Sequence, residues 1–211
     1  MDVSVIIINY NTRQMTAECI DSVFEKTKGV KFEIILVDNA STDGSKEFFE
    51  QDKRITYIYN NENLGFGRAN NIGIKVAKGR NILFLNSDTK LIEDSISIMS
   101  HFMQKKNVSI LGVKLIDKQG VMMHSYSPFL PSILWEFLVN FYPFAVLVMV
   151  YYKIVIFFNG YKKVGYITGA DLMIDAKLLC EFGNYDEDFF MYFEDAELQH
   201  RFIREGVTPY F

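Results

Sequence analysis

Three short apolar runs constrain this chain more than any other feature. Val3–Ile8, Phe32–Val37 and Asn81–Leu85 are almost continuously apolar, and each ends abruptly on small polar residues. Runs of this length without strict alternation predict strands covered on both faces. Stretches of helical period lie between them. Thr12 is placed to cap a helix in which Met15, Cys19, Ile20, Val23 and Phe24 form one stripe. After the second run, a polar "DNASTDGS" turn leads into a helix carrying Phe48 and Phe49. Ile55–Tyr59 reads as a third strand. A helix follows over Phe66–Ala77, with Gly79 as its stop signal. After the fourth strand, Asn81–Leu85, the pattern predicts a helix over Ser95–Gln104 and a strand over Val108–Leu115. Alternation of this kind means βαβ units and a mostly parallel central sheet flanked by helices, an α/β fold.

In such sheets ligands bind beyond the carboxyl ends of the strands. Asn9–Thr12, Asp38–Ser45 and Asn86–Thr89 are polar clusters at such ends, so they are expected to converge in space. Each cluster alone is also what an ordinary strand-end loop looks like. The 211 residues, 49% hydrophobic, suffice for one domain with a sizeable core. A net charge of −4 with scattered Lys and Arg argues against a nucleic-acid partner. Cys19 and Cys180 belong to no C-x-x-C or Cys/His cluster, which suits reduced thiols in the cytoplasm. Val3–Ile8 is too short for the apolar core of a signal peptide. His101, His124 and His200 lack metal-ligand spacing. An apolar strand opens at Val207 just before the end, "TPYF", and predicts a C-terminally truncated chain.

Residues 132–158 are strongly apolar and aromatic but are interrupted by Glu136, Asn140, Pro143 and Lys153. No uninterrupted run reaches the roughly 18–20 residues of a spanning helix. Core packing, a homo-oligomer contact and a peripheral membrane contact all remain open, the last with Lys153, Lys162 and Lys163 as basic flanks. Trp135 in this segment reads as packing or interfacial.

Four motifs occur in order: "VSVIIINYNT", "ILVDNASTDGS", "ILFLNSDT" and "MYFEDAELQHR". Together they resemble the inverting nucleotide-sugar glycosyltransferases of family 2, with the GT-A fold, from Val3 to about Gly206. "NENLGFGRANNIG" and the asparagine of "NSD" resemble the rhamnosyltransferase-like branch. The resemblance implies a dTDP- or UDP-linked donor such as dTDP-rhamnose. It also implies a glycan or lipid-linked acceptor in cell-surface polysaccharide synthesis, at the inner face of the plasma membrane. Residues 1–115 would form the nucleotide-sugar half and 116–211 the acceptor half.

Loss of a diphosphate leaving group builds negative charge on oxygen, which a divalent cation can absorb. Mg²⁺ and Mn²⁺ prefer oxygen ligands and are often held by few carboxylates plus substrate phosphates. Asp88 fits that task, with Asn86 standing where the family usually has an acid and Ser87 beside the donor. By resemblance, Asp38 accepts a hydrogen bond from the imide N–H of uracil or thymine. Asn9, Tyr10 and Asn11 belong to the nucleoside pocket, and Arg68 contacts base or phosphate with Asn70 and Asn71 in support. "ITGADLMI" resembles the family's acceptor-side strand, so Gly169, Ala170 and Asp171 line the acceptor side, with Asp171 either pocket wall or a strand-edge residue. Asp195 is the base that takes the acceptor hydroxyl proton, with Glu194 beside it. Local readings stand next to these. Asp38 and Asp88 also suit turn or helix caps, and Asp43 in "STDGS" suits either a donor contact or a turn. Arg68 could be a solvated helix arginine. Glu194 and Asp195 could merely stabilise a helix start. A nucleotide-sugar-binding module without transfer activity is a second function class. A sugar-nucleotide pyrophosphorylase is a third, although "NYNTRQM" replaces the glycine-rich loop such enzymes carry after their first strand.

Overall fold

The computed structural model describes residues 1–123, 125–128, 146, 147, 150, 151, 154 and 160–211. Its main sheet opens with β1 (Val3–Asn9), β2 (Phe32–Asp38), β3 (Thr56–Tyr59) and β4 (Asn81–Asn86). These four are parallel, in the order β3-β2-β1-β4. Next come β5 (Ile110–Leu111), β6 (Tyr126–Ser127), β7 (Tyr166–Ile167), β8 (Asp171–Asp175) and β9 (Pro209–Tyr210). Beyond β4 the sheet continues as β8-β5-β9, with β8 antiparallel to both β4 and β5. β6 and β7 pair separately. The helices are α1 (Arg13–Lys26), α2 (Ser45–Phe49), α3 (Phe66–Val76), α4 (Ser95–Lys106), α5 (Ala176–Phe182) and α6 (Glu194–Arg204).

Side chains of a strand alternate between faces, so a run buried on both sides needs two cores. Val5, Ile7, Ile34, Leu36, Leu83 and Leu85 join Cys19, Ile20 and Val23 of α1 and Met99 of α4. Ile6, Ile35, Val37, Ile82 and Phe84 join Ala69 of α3, Leu178 of α5 and Leu198 of α6. Each fully buried aliphatic side chain stabilises the fold by about 1.5–3 kcal/mol. The two layers therefore hold the carboxyl edge of the sheet rigidly.

Four local expectations change. Met15 leaves the predicted stripe and is half exposed. Thr12 occupies the N-cap position without a side-chain cap bond; Asp43 Oδ2 accepts from Arg13 N–H instead, at 2.9 Å. The strand predicted over Val108–Leu115 contracts to Ile110–Leu111 because Val113 N–H donates to the Asp171 carboxylate, not to a neighbouring strand. Residues 132–158 lie outside the described residues except at a few positions, as do His124 and Trp135. Lys162 is no basic flank. It is buried over the Tyr126 ring, 3.6 Å from the centroid, and burial pulls its amine down to about 8. Among the described residues no helix is long and apolar enough to cross a membrane.

Candidate active site

The three polar clusters meet. The β1–β2 register sets Asn9 beside Asp38, and the β1–β4 register sets Ile8 beside Asn86. Asn9 is fully buried and knits the ends together. Its Nδ2 donates to Asp38 Oδ2 and to Ser41 Oγ, both at 3.0 Å. Its Oδ1 accepts from the hydroxyls of Thr12 and Thr16. Thr12 Oγ1 in turn lies 3.1 Å from Ser87 Oγ. Asp38, also fully buried, accepts from Tyr57 Oη at 3.0 Å and from Ser41 N–H at 2.8 Å. Asn11, at φ 55°, accepts from Thr42 N–H.

Above this network opens a cleft of about 750 Å³. Ile8, Tyr10, Thr12 and Met15 line it from the β1–α1 side, and Asn86, Ser87 and Asp88 from β4. Thr168, Gly169 and Ala170 close it from the turn before β8, and Glu194 and Asp195 from the start of α6. That volume suits a nucleotide-sized ligand. Asp88 is exposed and has no hydrogen-bond partner among the described residues. Its charge, after the larger effect of burial, helps push the Cys19 thiol up to about 12, so Cys19 stays a neutral packing group.

Asp195 Oδ2 accepts from Gly169 N–H at 2.9 Å. Gln199, fully buried, brackets Ile167: Oε1 accepts its N–H and Nε2 donates to its carbonyl. The Gln199 amide also reaches the Asp195 carbonyl at 3.0 Å, locking the first turn of α6 to β7. Burial, and then the charge of Asp195, raises the Glu194 carboxyl above its ordinary range. Glu194 Oε2 has no partner among the described residues, nor has the buried Tyr185 hydroxyl. Burial, then Asp195 and Glu194, holds that phenol well above its ordinary value.

The structure thus brings Tyr10, Asn86, Ser87, Asp88, Gly169, Ala170, Glu194 and Asp195 into one cleft. Asn9, Asn11, Asp38 and Asp43 do not line it; they brace the loops that do. Asp43 caps both helices beside it, accepting from Arg13 and Ser45. Burial pushes its carboxyl up, but these hydrogen bonds prevail and hold it below the ordinary range. Arg68 points elsewhere, its Nε donating to Glu187 carbonyl oxygen at 2.9 Å. Asp171 sits behind the cleft wall, 2% exposed, because its carboxylate is drawn to Val113 N–H. A smaller hollow of about 220 Å³ between α1 and α2 contains Asp21 and Asp52, both paired with Arg54.

Sequence reasoning missed Asn39, Asn63, Phe66, Thr168 and the segment Met191–Phe193, all of which line the cleft. The signal was present in "EDFFMYFED", whose aromatic residues crowd a helix start where no core strand could bury them.

Among the described residues no three His, Cys, Asp or Glu side chains cluster as a metal cage. One carboxylate lining the cleft, unpaired among the described residues and with Asn86 and Ser87 beside it, does fit Mg²⁺ or Mn²⁺ held jointly with phosphate oxygens. A mostly parallel open sheet, a cleft at its carboxyl edge and an acidic helix start facing that cleft define a GT-A domain.

The sequence profile described as "Glycosyl transferase family 2" matches residues 4–167. The chain therefore belongs to that family. It is 27% identical over 211 residues to the low-salt glycan biosynthesis hexosyltransferase Agl10 of Haloferax volcanii, covering 98% of this chain and 63% of that protein. Over 108 residues it is 37% identical to the UDP-Glc:alpha-D-GlcNAc-diphosphoundecaprenol beta-1,3-glucosyltransferase WfaP of Escherichia coli, covering 50% of this chain and 43% of that one. The chain thus spans less than two thirds of either relative. Among solved structures, the mannosyltransferase PcManGT of Pyrobaculum calidifontis, in complex with GDP-Man and Mn²⁺, superposes with a TM-score of 0.68 at 16% identity. That match covers 98% of this chain and 53% of that one, and it supports the GT-A fold.

Proposed function

We propose that this chain transfers a hexose, with inversion, from a UDP- or dTDP-linked donor to a glycan or lipid-linked acceptor. The observation that carries the reading is one cleft holding the unpaired Asp88 at the end of β4 and Asp195 at the start of α6. A single displacement needs those two things: charge stabilisation at the leaving diphosphate and a base at the attacking hydroxyl. Asp88 would hold a Mg²⁺ or Mn²⁺ together with the donor diphosphate, the cation neutralising charge as the leaving oxygen departs. Asp195 takes the acceptor hydroxyl proton while that oxygen bonds to the anomeric carbon. The bond from that carbon to the diphosphate breaks on the opposite face, and the nucleoside diphosphate leaves. Gly169 N–H fixes one carboxylate oxygen of Asp195, so the carboxylate is oriented before substrate arrives.

Residues 1–115 would bind the donor and 116–211 the acceptor. Asp38, Asn9 and Asn11 shape the nucleoside end through the loops they brace. The rhamnosyl reading rests on "NENLGFGRANNIG", much of which packs against residues 185–190, so dTDP-rhamnose is one candidate among UDP- and dTDP-hexoses. WfaP uses, by its name, a diphosphoundecaprenol-linked acceptor. A similar acceptor here would place the chain at the cytoplasmic membrane face, with residues 132–158 meeting the membrane or a second copy.

Calorimetric titration with UDP and dTDP, with and without Mn²⁺, tests the donor site. Metal-enhanced binding of one nucleotide, followed by its release from a matching sugar nucleotide, is the expected result. Binding without any turnover would instead establish a nucleotide-sugar-binding module. No binding by the folded protein would sink the donor site.

A further inference from the structure

The glycine-containing start of α3 serves a neighbouring loop. Gly65 sits at φ 83°, and a Cβ there would lie 2.3 Å from the Phe190 carbonyl oxygen. Phe66 N–H donates to that same oxygen at 2.9 Å. A Cβ on Gly67 would come within 3.3 Å of Tyr185. Asn71 and Tyr185 exchange two bonds, Nδ2 to carbonyl at 2.9 Å and N–H to Oδ1 at 3.0 Å. Arg68 reaches the Glu187 carbonyl. Asn39 Nδ2 donates to the Gly65 carbonyl at 3.1 Å and ties this bed to the end of β2. The glycine-containing motif "NLGFGRANN" is therefore a bed for residues 185–190.

That bed presents Met191, Tyr192 and Phe193, which line the cleft directly before Glu194 and Asp195. They are 52%, 74% and 62% exposed. Tyr192 and Phe193 also stand consecutively in the left-handed region, at φ 72° and 67°. Bulky side chains adopt that conformation at a cost, and such strain gathers at ligand clamps. Polar or glycine residues would make the same turn into α6 more cheaply on both counts. Contiguous exposed apolar side chains at a cleft mark a binding surface.

Charge narrows the occupant. Asp186, Glu187 and Asp188 precede the segment and Glu194 and Asp195 follow it, with Arg68 4.0 Å from Glu187 as the cation beside them. An anionic group seated on this segment without a metal ion beside it, or an anionic lipid surface, would be repelled. A neutral sugar has an apolar C–H face that packs on aromatic rings and hydroxyls that reach carboxylates.

We propose that Met191, Tyr192 and Phe193 are the platform for a neutral acceptor sugar, seating one ring face so that a hydroxyl meets Asp195. This inference rests on the glycosyltransferase reading. Its test uses the full chain with UDP and Mn²⁺ and a panel of neutral methyl hexosides beside methyl uronosides, followed by ligand-observed saturation-transfer NMR. The variants are Tyr192→Gly and Phe193→Gly. Glycine relieves the left-handed strain, so both variants should melt at or above the wild-type temperature. The expected result is saturable binding of at least one neutral hexoside, weakened at least tenfold in either variant, with the uronosides weaker throughout. No hexoside binding, binding unchanged by both substitutions, or tighter uronoside binding would each overturn it. Sedimentation with phosphatidylglycerol vesicles, lost in the variants, would assign the patch to a lipid surface instead and also overturn it. Nucleotide binding by the wild-type protein is measured in the same samples. Its absence indicts the glycosyltransferase reading, whereas its presence without a hexoside response indicts only the platform.

Discussion

Gly169 N–H points at Asp195 Oδ2 across 2.9 Å, joining the turn before β8 to the first turn of α6. One element belongs to the sheet and the other to the helical layer, so the carboxylate is fixed relative to the cleft wall. A backbone donor cannot be lost by rotating a side chain. The same bond will therefore survive an isosteric change at Asp195.

Asp195→Asn uses that property. The amide oxygen still accepts from Gly169, at the loss of the Oδ1 acceptor that Ala196 N–H reaches at 2.7 Å, but the side chain can no longer take a proton. Turnover of the matching donor is expected to fall by about 10²–10⁴-fold, the usual contribution of a positioned base. Nucleotide affinity should hold. Steady-state kinetics alongside calorimetry check both halves, and undiminished turnover would remove Asp195 from the role of base.

Asp88→Ala addresses the other wall. Asp88 has no partner among the described residues, so its removal leaves no buried group unsatisfied and the melting temperature should barely move. Mn²⁺-enhanced UDP or dTDP binding should weaken by at least about tenfold, about 1.4 kcal/mol. Metal-free binding should change little. Equal metal enhancement in the variant would show that Asp88 does not hold the cation.

The parallel half of this fold was legible because its information is local. Val3–Ile8 and Asn81–Leu85 can only be satisfied by burial on both faces, and their polar ends must then share an edge. The cluster around Asn9 follows from register alone. The roles inside that edge were less legible. Asn9 and Asp38 look like ligand contacts in sequence, but whether a polar side chain faces the cleft or braces a loop depends on partners such as Tyr57 and Ser41, which are distant in the chain. Asp171 followed the same pattern. "ITGADLMI" read as one strand, but the turn at Gly169–Ala170 divides it into β7 and β8, and Asp171 turns to Val113. Met191–Phe193 stayed hidden because an apolar run is read as core by default, and only the packing of α3 leaves it outside.

Gln199→Leu tests the lock behind Asp195. The substitution keeps volume but strips the bonds to both backbone groups of Ile167. Leaving buried polar groups unsatisfied costs about 1–3 kcal/mol each. Urea unfolding should therefore show a loss of roughly 2–6 kcal/mol, on the same principle. Gln199→Glu keeps the acceptor for Ile167 N–H but turns its second carboxyl oxygen on the Ile167 and Asp195 carbonyls, so it should show no recovery wherever it is ionised.

Asp171 gives the fold a pH dependence of definite sign. Its carboxyl is 2% exposed, with Oδ2 accepting from Val113 at 2.8 Å and Oδ1 without a partner among the described residues. Burial pushes it up to about 8, only partly countered by the Val113 bond. A carboxyl with a raised folded pKa binds its proton more tightly in the native state. Its contribution is fully present below the unfolded carboxyl's pKa and is lost as pH rises through about 8. Within that window the slope approaches about 1.4 kcal/mol per pH unit. Raised Glu194 acts in the same sense. Asp43 and Asp94, whose hydrogen bonds outweigh burial and lower them, act in the opposite sense and only on acidification below the ordinary carboxylate range. Asp171→Asn keeps an acceptor for Val113 N–H and never ionises. Urea midpoints for the wild type should therefore fall between about pH 5 and pH 8, while those of the variant fall much less, leaving mainly the share due to Glu194. Parallel declines in the two proteins would show that Asp171 ionises as readily in the fold as in the unfolded chain.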